Sequence, residues 1–212
     1  MNLQNYYYYF QNALTPRFCD QLVKYGTAQQ EQLALTGGQT IKTEKNKSLS
    51  NEDLKDLKKK RDSNVVWLND PWIYKEIHPY IYQANKLAGW NFDWNWSESC
   101  QFTKYKLNQF YDWHCDSWEG PYNDPKNLNM HNKIRKLSVT CSLSSPEEYE
   151  GGELEFDFRN TDPDKPSIRK CAEIASRGSI VVFPSHVWHR VKPVTKGVRY
   201  SLVVWNLGYP FK

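Results

Sequence analysis

Four side chains that lie far apart in the chain have the types and spacing for metal chemistry. They are His114 and Asp116 in the run WHCD, and His189 and Arg199 in FPSHVWHRVKPVTKGVRYS. Two imidazoles and one carboxylate can hold an ion on one face and leave the opposite positions open. For ferrous iron that arrangement is the platform of haem-free oxygen chemistry. An arginine on a following segment can then grip a carboxylate of a co-substrate. His114 and Asp116 are two apart, so on an extended segment they point to the same side, roughly 6–7 Å apart at the backbone. From there an imidazole nitrogen and a carboxylate oxygen can converge on one ion.

An HxD pair recurs by chance, so the second histidine decides. His131 sits in the polar stretch NLNMHNK, and His78 precedes Pro79 on a helical stretch. His186 and His189 differ by three and face opposite sides of a strand. PVTKG reads as a turn, and VRYSLVVW as a strand that returns to pair with VWHRV. Such a hairpin brings Arg199 beside His189, with Ser201 on the same face, so His189 is the ligand and His186 a rim residue. The set contains no thiolate, and no HExxH motif supplies the base of a zinc hydrolase. Iron is therefore preferred, with zinc and an activated water as the alternative.

The elements that must position these groups divide the chain in two. Thr15 and Pro16 open a helix expected over residues 16–33, where Phe18, Leu22 and Tyr25 recur at helical spacing. Residues 36–50 have no apolar period and read as a mobile loop. Ser50 caps a short helix over 51–60 whose last turn, KKKR, complements the helix dipole. A third helix is expected over 71–87, with Ile73, Ile77, Ile81 and Ala84 on one face and Gly89 at its end. After Trp96 the texture changes to QFTKYK, RKLSVTCSLS, GGELEFDF, GSIVVFP, VWHRVKPV and VRYSLVVW. These are strands at the spacing of a barrel or sandwich. Gly151 and Gly152 read as a turn with positive φ, and Gly178 and Gly197 as turn positions. The expected fold is α+β, a single domain over 1–212. A mainly helical support (1–96) buttresses a β-roll (97–208).

At 212 residues the length suits one domain with a full core. No apolar run approaches the roughly 20 residues of a membrane span, and MNLQNYYYYFQNAL has no leader character, so secretion is not expected. Five cysteines, an odd number without a CxxC pair, point to a reducing interior such as the cytoplasm. Residues 42–61 hold eight basic and four acidic side chains, which accounts for the whole net charge of +4. This run reads either as a solvated helix end or as a basic lid that recruits an acidic substrate. Charge confined to one run is not the basic stripe of a nucleic-acid binder, so nucleic acid is not the expected partner.

Taken jointly, HxD, EGGEL and GSIVVFPSHVWHRVKPVTKGVRYS resemble the 2-oxoglutarate- and iron(II)-dependent dioxygenases of the prolyl 4-hydroxylase type, in particular their small bacterial and phage members. The resemblance covers roughly residues 61–206 and is strongest over 99–118 and 135–205. It implies a double-stranded β-helix, or jelly roll. His114, Asp116 and His189 would be iron ligands, and Arg199, ten residues beyond His189, the anchor of the distal carboxylate of 2-oxoglutarate. Tyr105 matches a tyrosine that hydrogen-bonds the co-substrate. Ser138 stands where relatives carry a threonine assisting the arginine, or is an ordinary sheet hydroxyl. The resemblance further implies Fe(II), 2-oxoglutarate and O2, with ascorbate as an accessory, and hydroxylation with release of succinate and CO2. The implied substrate is a prolyl residue in a protein or peptide. Trp113, Trp118 and Tyr122 flank HxD and either line a substrate cleft or pack internally. The alternatives are the same chemistry on a nucleic acid, a small molecule or a free amino acid, and a non-enzymatic β-roll binding module.

Overall fold

The computed structural model describes residues 5–36, 49–117, 119–159 and 167–211. The first half runs β1 (Tyr8–Phe10), α1 (Pro16–Thr27), β2 (Gln32–Leu33), α2 (Asn51–Lys60), β3 (Arg61–Asp62), β4 (Asn64–Leu68), α3 (Pro71–Leu87) and β5 (Trp96–Ser97). The second runs β6 (Cys100–Tyr105), β7 (Phe110–His114), β8 (Ile134–Ser142), β9 (Tyr149–Gly151), β10 (Leu154–Asp157), β11 (Ile168–Lys170), β12 (Ile180–Pro184), β13 (Trp188–Val191), β14 (Val194–Gly197) and β15 (Arg199–Gly208).

Period-two alternation decides which way each strand faces. On β8, Leu137, Val139 and Cys141 join one buried cluster with Ile73, Ile77 and Ile81 of α3 and Leu22 of α1. Ile180 and Val182 of β12, Leu202 and Val204 of β15, and Cys100 and Phe102 of β6 enter the same cluster. The large sheet thus buries an apolar face under the helices. Its other face carries Ser138, Thr140 and Ser142, with Thr103, Arg199 and Ser201, all buried. A second cluster, including Phe156, Val181, Phe183 and Val191, fills part of the space between the sheets.

The large sheet has the order β1-β12-β8-β15-β6-β4-β2, with β5 added to β15, and the smaller sheet the order β11-β10-β13-β7-β3. Every pairing among the described residues is antiparallel. This is the jelly roll implied by the sequence.

The caps match expectation. The Thr15 hydroxyl accepts the Phe18 N–H, and Ser50 and Asp53 form a reciprocal capping box on α2. Gly151 and Gly152 take φ of 75° and 63°.

Three expectations need correction. The helix from Pro16 stops at Thr27, because Ala28 to Glu31 offer no apolar period. Gln32 and Leu33 instead pair with β4. The N-terminal portion is less helical than expected, since β1 and β4 extend the large sheet and β3 borders the small one. Finally, β15 does not return beside β13. It lies between β6 and β8, while β13 lies between β10 and β7. Leu202 and Val204 explain the choice, since only the large sheet offers them the helical layer. The expected mobile loop lies mostly outside the described residues.

Candidate metal centre and cleft

β7 ends at His114, and β13 places His189 directly opposite it. Beyond the strand end, the Asp116 N–H donates to the Ser185 carbonyl at 2.9 Å, which turns the carboxylate back toward both imidazoles. Asp116 Oδ1 lies 3.8 Å from His114 Nε2, and Oδ2 lies 3.6 Å from His189 Nε2. These gaps are too wide for hydrogen bonds but can take an ion whose bonds are about 2 Å. The ligand atoms of all three residues lie within 4.8 Å of one another.

Tautomers follow from the partners. His114 Nδ1 faces the Asp112 carbonyl at 2.7 Å, and His189 Nδ1 faces the Val187 carbonyl at 3.0 Å. A carbonyl only accepts, so each Nδ1 carries the hydrogen and each Nε2 keeps a lone pair for a metal. Burial, and the His189 ring beside it, push the His114 imidazole down to about 3, so it stays neutral. Burial works to raise the Asp116 carboxyl, yet His189, His114, Arg135 and Ser138 hold it below the usual range. Asp116 Oδ2 is buried without a hydrogen-bond partner among the described residues, a costly state that a cation would relieve. The donor set therefore fits a divalent metal with open positions.

Rings fix the ligands. Tyr111 stacks on His114 with centroids 3.5 Å apart, and Phe183 meets His189 edge-on at 4.7 Å.

Arg199 begins β15 opposite Tyr105 of β6, and both are buried. The guanidinium lies 5.5 Å from the Tyr105 ring centroid and donates to Ser201 Oγ at 3.4 Å. Among the described residues it has no carboxylate partner. Gly152 makes room for it, since a Cβ there would stand 2.9 Å from Arg199 Cδ. Ser138 is separated from the arginine. It pairs with Trp205, six residues along β15 from Arg199, and its hydroxyl meets Ser185 Oγ at 2.9 Å. The hydroxyl that meets Arg199 is Ser201.

A cleft of about 1400 Å³ opens over His114 and Asp116, and Trp113 and Tyr122 both line it. The Arg190 guanidinium covers the Trp113 ring at 4.6 Å, and Tyr122 donates to Glu98 Oε1 at 2.9 Å. Trp118 lies outside the described residues. His186 is exposed and takes no part in the triad.

Sequence reasoning missed much of the cleft wall. Glu98 accepts from Arg135 Nε and Nη2 at 2.7 and 2.6 Å, and Arg135 stacks over Trp205 at 4.0 Å. Alternation along β15 puts Trp205 on the Arg199 face, a signal available in the sequence. The Glu98–Arg135 pair had none, since it joins the link between β5 and β6 to β8, distant in the chain.

Residues 100–206 match the family described as the 2OG-Fe(II) oxygenase superfamily, and the chain belongs to it. The family's cofactors are iron(II), 2-oxoglutarate and O2.

Among curated proteins, a PKHD-type hydroxylase of Synechococcus sp. is 33% identical over 102 residues, which is 48% of this chain and 39% of that one. A PKHD-type hydroxylase of Escherichia coli is 35% identical over 104 residues, 49% and 40% of the two chains. The matched segment thus spans about two fifths of these relatives' length.

Among solved structures, a viral collagen prolyl hydroxylase from Paramecium bursaria Chlorella virus-1 superposes with TM-score 0.62 at 19% identity, covering 97% of both chains. A prolyl-4-hydroxylase of Pseudomonas putida gives 0.56 at 18% identity, covering 96% of this chain and 92% of that one. At this identity the likeness establishes the fold. No helix among the described residues is long and apolar enough to cross a membrane.

Proposed function

We propose that the protein is an iron(II)- and 2-oxoglutarate-dependent hydroxylase whose substrate is a prolyl residue in a protein or peptide. The observation that carries this reading is the buried Arg199 guanidinium with no carboxylate partner among the described residues. Burying a cation alone costs several kcal/mol, and a dicarboxylate co-substrate bound beside it would offset that cost. A guanidinium meets a carboxylate through two parallel hydrogen bonds, which also fixes its orientation.

His114, Asp116 and His189 would hold the iron. When bound, iron and 2-oxoglutarate supply the activation of O2, with succinate and CO2 as co-products. The chain's own side chains do the positioning. Both imidazoles are held by their Nδ1–H bonds to backbone carbonyls. Tyr105, on the strand beside Arg199, is suited to order the co-substrate. Tyr111 and Phe183 pack against the ligand rings and keep water from that side.

Substrate class rests on the cleft and on the relatives. The volume exceeds the roughly 300–1000 Å³ that encloses a small molecule, which suits a polypeptide segment. PKHD-type hydroxylases are among the relatives, and structures described as prolyl hydroxylases share the fold. Trp113 and Tyr122 are placed to contact a bound peptide. Five free thiols fit a reducing compartment such as the cytoplasm.

An anaerobic titration of Fe(II) with 2-oxoglutarate tests the first part. A visible charge-transfer band is expected in the parent, absent in Asp116→Ala and weakened in Arg199→Ala. No band in the parent overturns the cofactor assignment. Proline-containing peptides should then gain one oxygen by mass while alanine counterparts do not, and equal inertness of both would remove the prolyl assignment.

A further inference from the structure

The basic run that the metal centre leaves unused lies at the rim of the cleft. Leu57 is fully buried and pins α2 against the body, so its lysines face outward. Lys55 and Lys58, one turn apart, border with Leu54 and Leu33 a recess of about 540 Å³. Leu33 also lines the main cleft, as do Lys60 and Arg61. The recess and the cleft therefore share a wall. Lys59 is neutralised by Asp56 at 2.9 Å, and the capping box engages Asp53. Lys55, Lys58 and Lys60 are exposed and have no anionic partner among the described residues.

We infer that this rim selects peptides that carry acidic residues on one side of the target residue, held by Lys55, Lys58 and Lys60. The inference rests on the hydroxylase reading of the cleft and names its substrate class more closely. Charge distribution separates a peptide from a nucleic acid. Asp112 and Asp124 line the same cleft and have no cationic partner among the described residues. A polymer with a phosphate on every unit would run past both carboxylates. A peptide with a one-sided acidic flank meets the lysines and leaves Asp112 and Asp124 hydrated. Exposed ion pairs are individually weak, so three together give roughly a tenfold preference, sensitive to salt.

Fluorescence anisotropy on the full chain with Fe(II) and 2-oxoglutarate under anaerobic conditions tests this without turnover. The probes are labelled peptides with a central proline, flanked on one side by a run of Glu or of Gln. The Glu peptide should bind about tenfold more tightly at low salt and lose that advantage near 0.5 M salt. Lys55→Gln/Lys58→Gln, which keeps helix propensity, should remove most of the advantage and leave the iron–2-oxoglutarate band unchanged. Equal binding of the two peptides overturns the inference, as does an advantage that survives in the variant. So does a single-stranded oligonucleotide of matched charge that displaces the Glu peptide at lower concentration. A Glu peptide with alanine for proline separates the two readings. If it keeps the charge preference while no proline peptide is hydroxylated, the acidic rim stands and the prolyl assignment falls.

Discussion

His114 and His189 face each other across the β7–β13 pair with ring centroids 4.2 Å apart, and each is tied through Nδ1 to the carbonyl two residues before it. The same local device is used twice, so two strands of one sheet deliver two imidazoles already in the ligating tautomer. Ligand and support should then separate in their effects. His189→Ala removes a donor and is expected to weaken Fe(II) or Co(II) binding more than 100-fold. Phe183→Leu, which removes the ring packed on His189 and Phe156 but no ligand, should cost about tenfold, the order seen for groups that orient ligands. Metal titration followed by absorbance gives both numbers, and equal losses would contradict the separation.

Arg199 supplies a geometric test. Arg199→Lys keeps the charge but loses the planar fork, so it should behave much closer to Arg199→Gln than to the parent. A charge-assisted hydrogen bond contributes about 1.5–3 kcal/mol, so 2-oxoglutarate affinity should fall roughly 10- to 100-fold in both. Calorimetric titration of the iron-loaded proteins measures this. Parent-like affinity in the lysine variant would mean that charge alone suffices.

Local pattern made the centre legible and long-range pairing hid its surroundings. HxD, the histidine of VWHRV and the arginine of GVRYS are short-range signals, and the structure gathers the three ligands within 4.8 Å. The alternation in LSVTCS correctly separates a helix-facing row from an inward hydroxyl row. The expected hairpin between β13 and β15 does not form, because the helical layer recruits Leu202 and Val204 to the other sheet despite the nearness of the two strands in sequence. Arg61 looked like the end of a solvated run. It is buried, donates to the Leu35 carbonyl and covers the Tyr111 ring. Its partners come from Tyr111 of β7 and from Leu35, both distant in the chain, which no local rule could anticipate.

Packing under the helices predicts an effect against local propensity. Gly26 lies in the last turn of α1, and a Cβ there would stand 2.6 Å from the Phe102 ring. That ring is 2% exposed and stacks on Tyr200 on β15. Alanine is about 1 kcal/mol better than glycine within a helix, yet overpacking a core costs about 1–3 kcal/mol. Gly26→Ala should therefore lower stability by up to about 2 kcal/mol in urea titrations. A stabilised variant would show that α1 shifts freely on the sheet.

Thiol chemistry divides the five cysteines. Cys19, Cys100, Cys141 and Cys171 are buried, and Cys115, half-buried between two ligand residues, lines the cleft. Burial raises all four buried thiols, Cys100 and Cys171 to about 12. Because the thiolate is the nucleophile, iodoacetamide at mild pH should modify Cys115 alone, and denatured protein should react at all five positions. The same shifts set a pH dependence. Above about pH 8.5 the unfolded chain releases thiol protons that the folded chain keeps, so stability falls as pH rises toward the folded values. The slope is on the order of 1 kcal/mol per buried thiol per pH unit. Melting temperatures at pH 8, 9 and 10 should decline in that order, and Cys100→Ser/Cys171→Ser should flatten the decline even if it lowers every value. An unchanged slope in that variant would assign the alkaline loss to other groups.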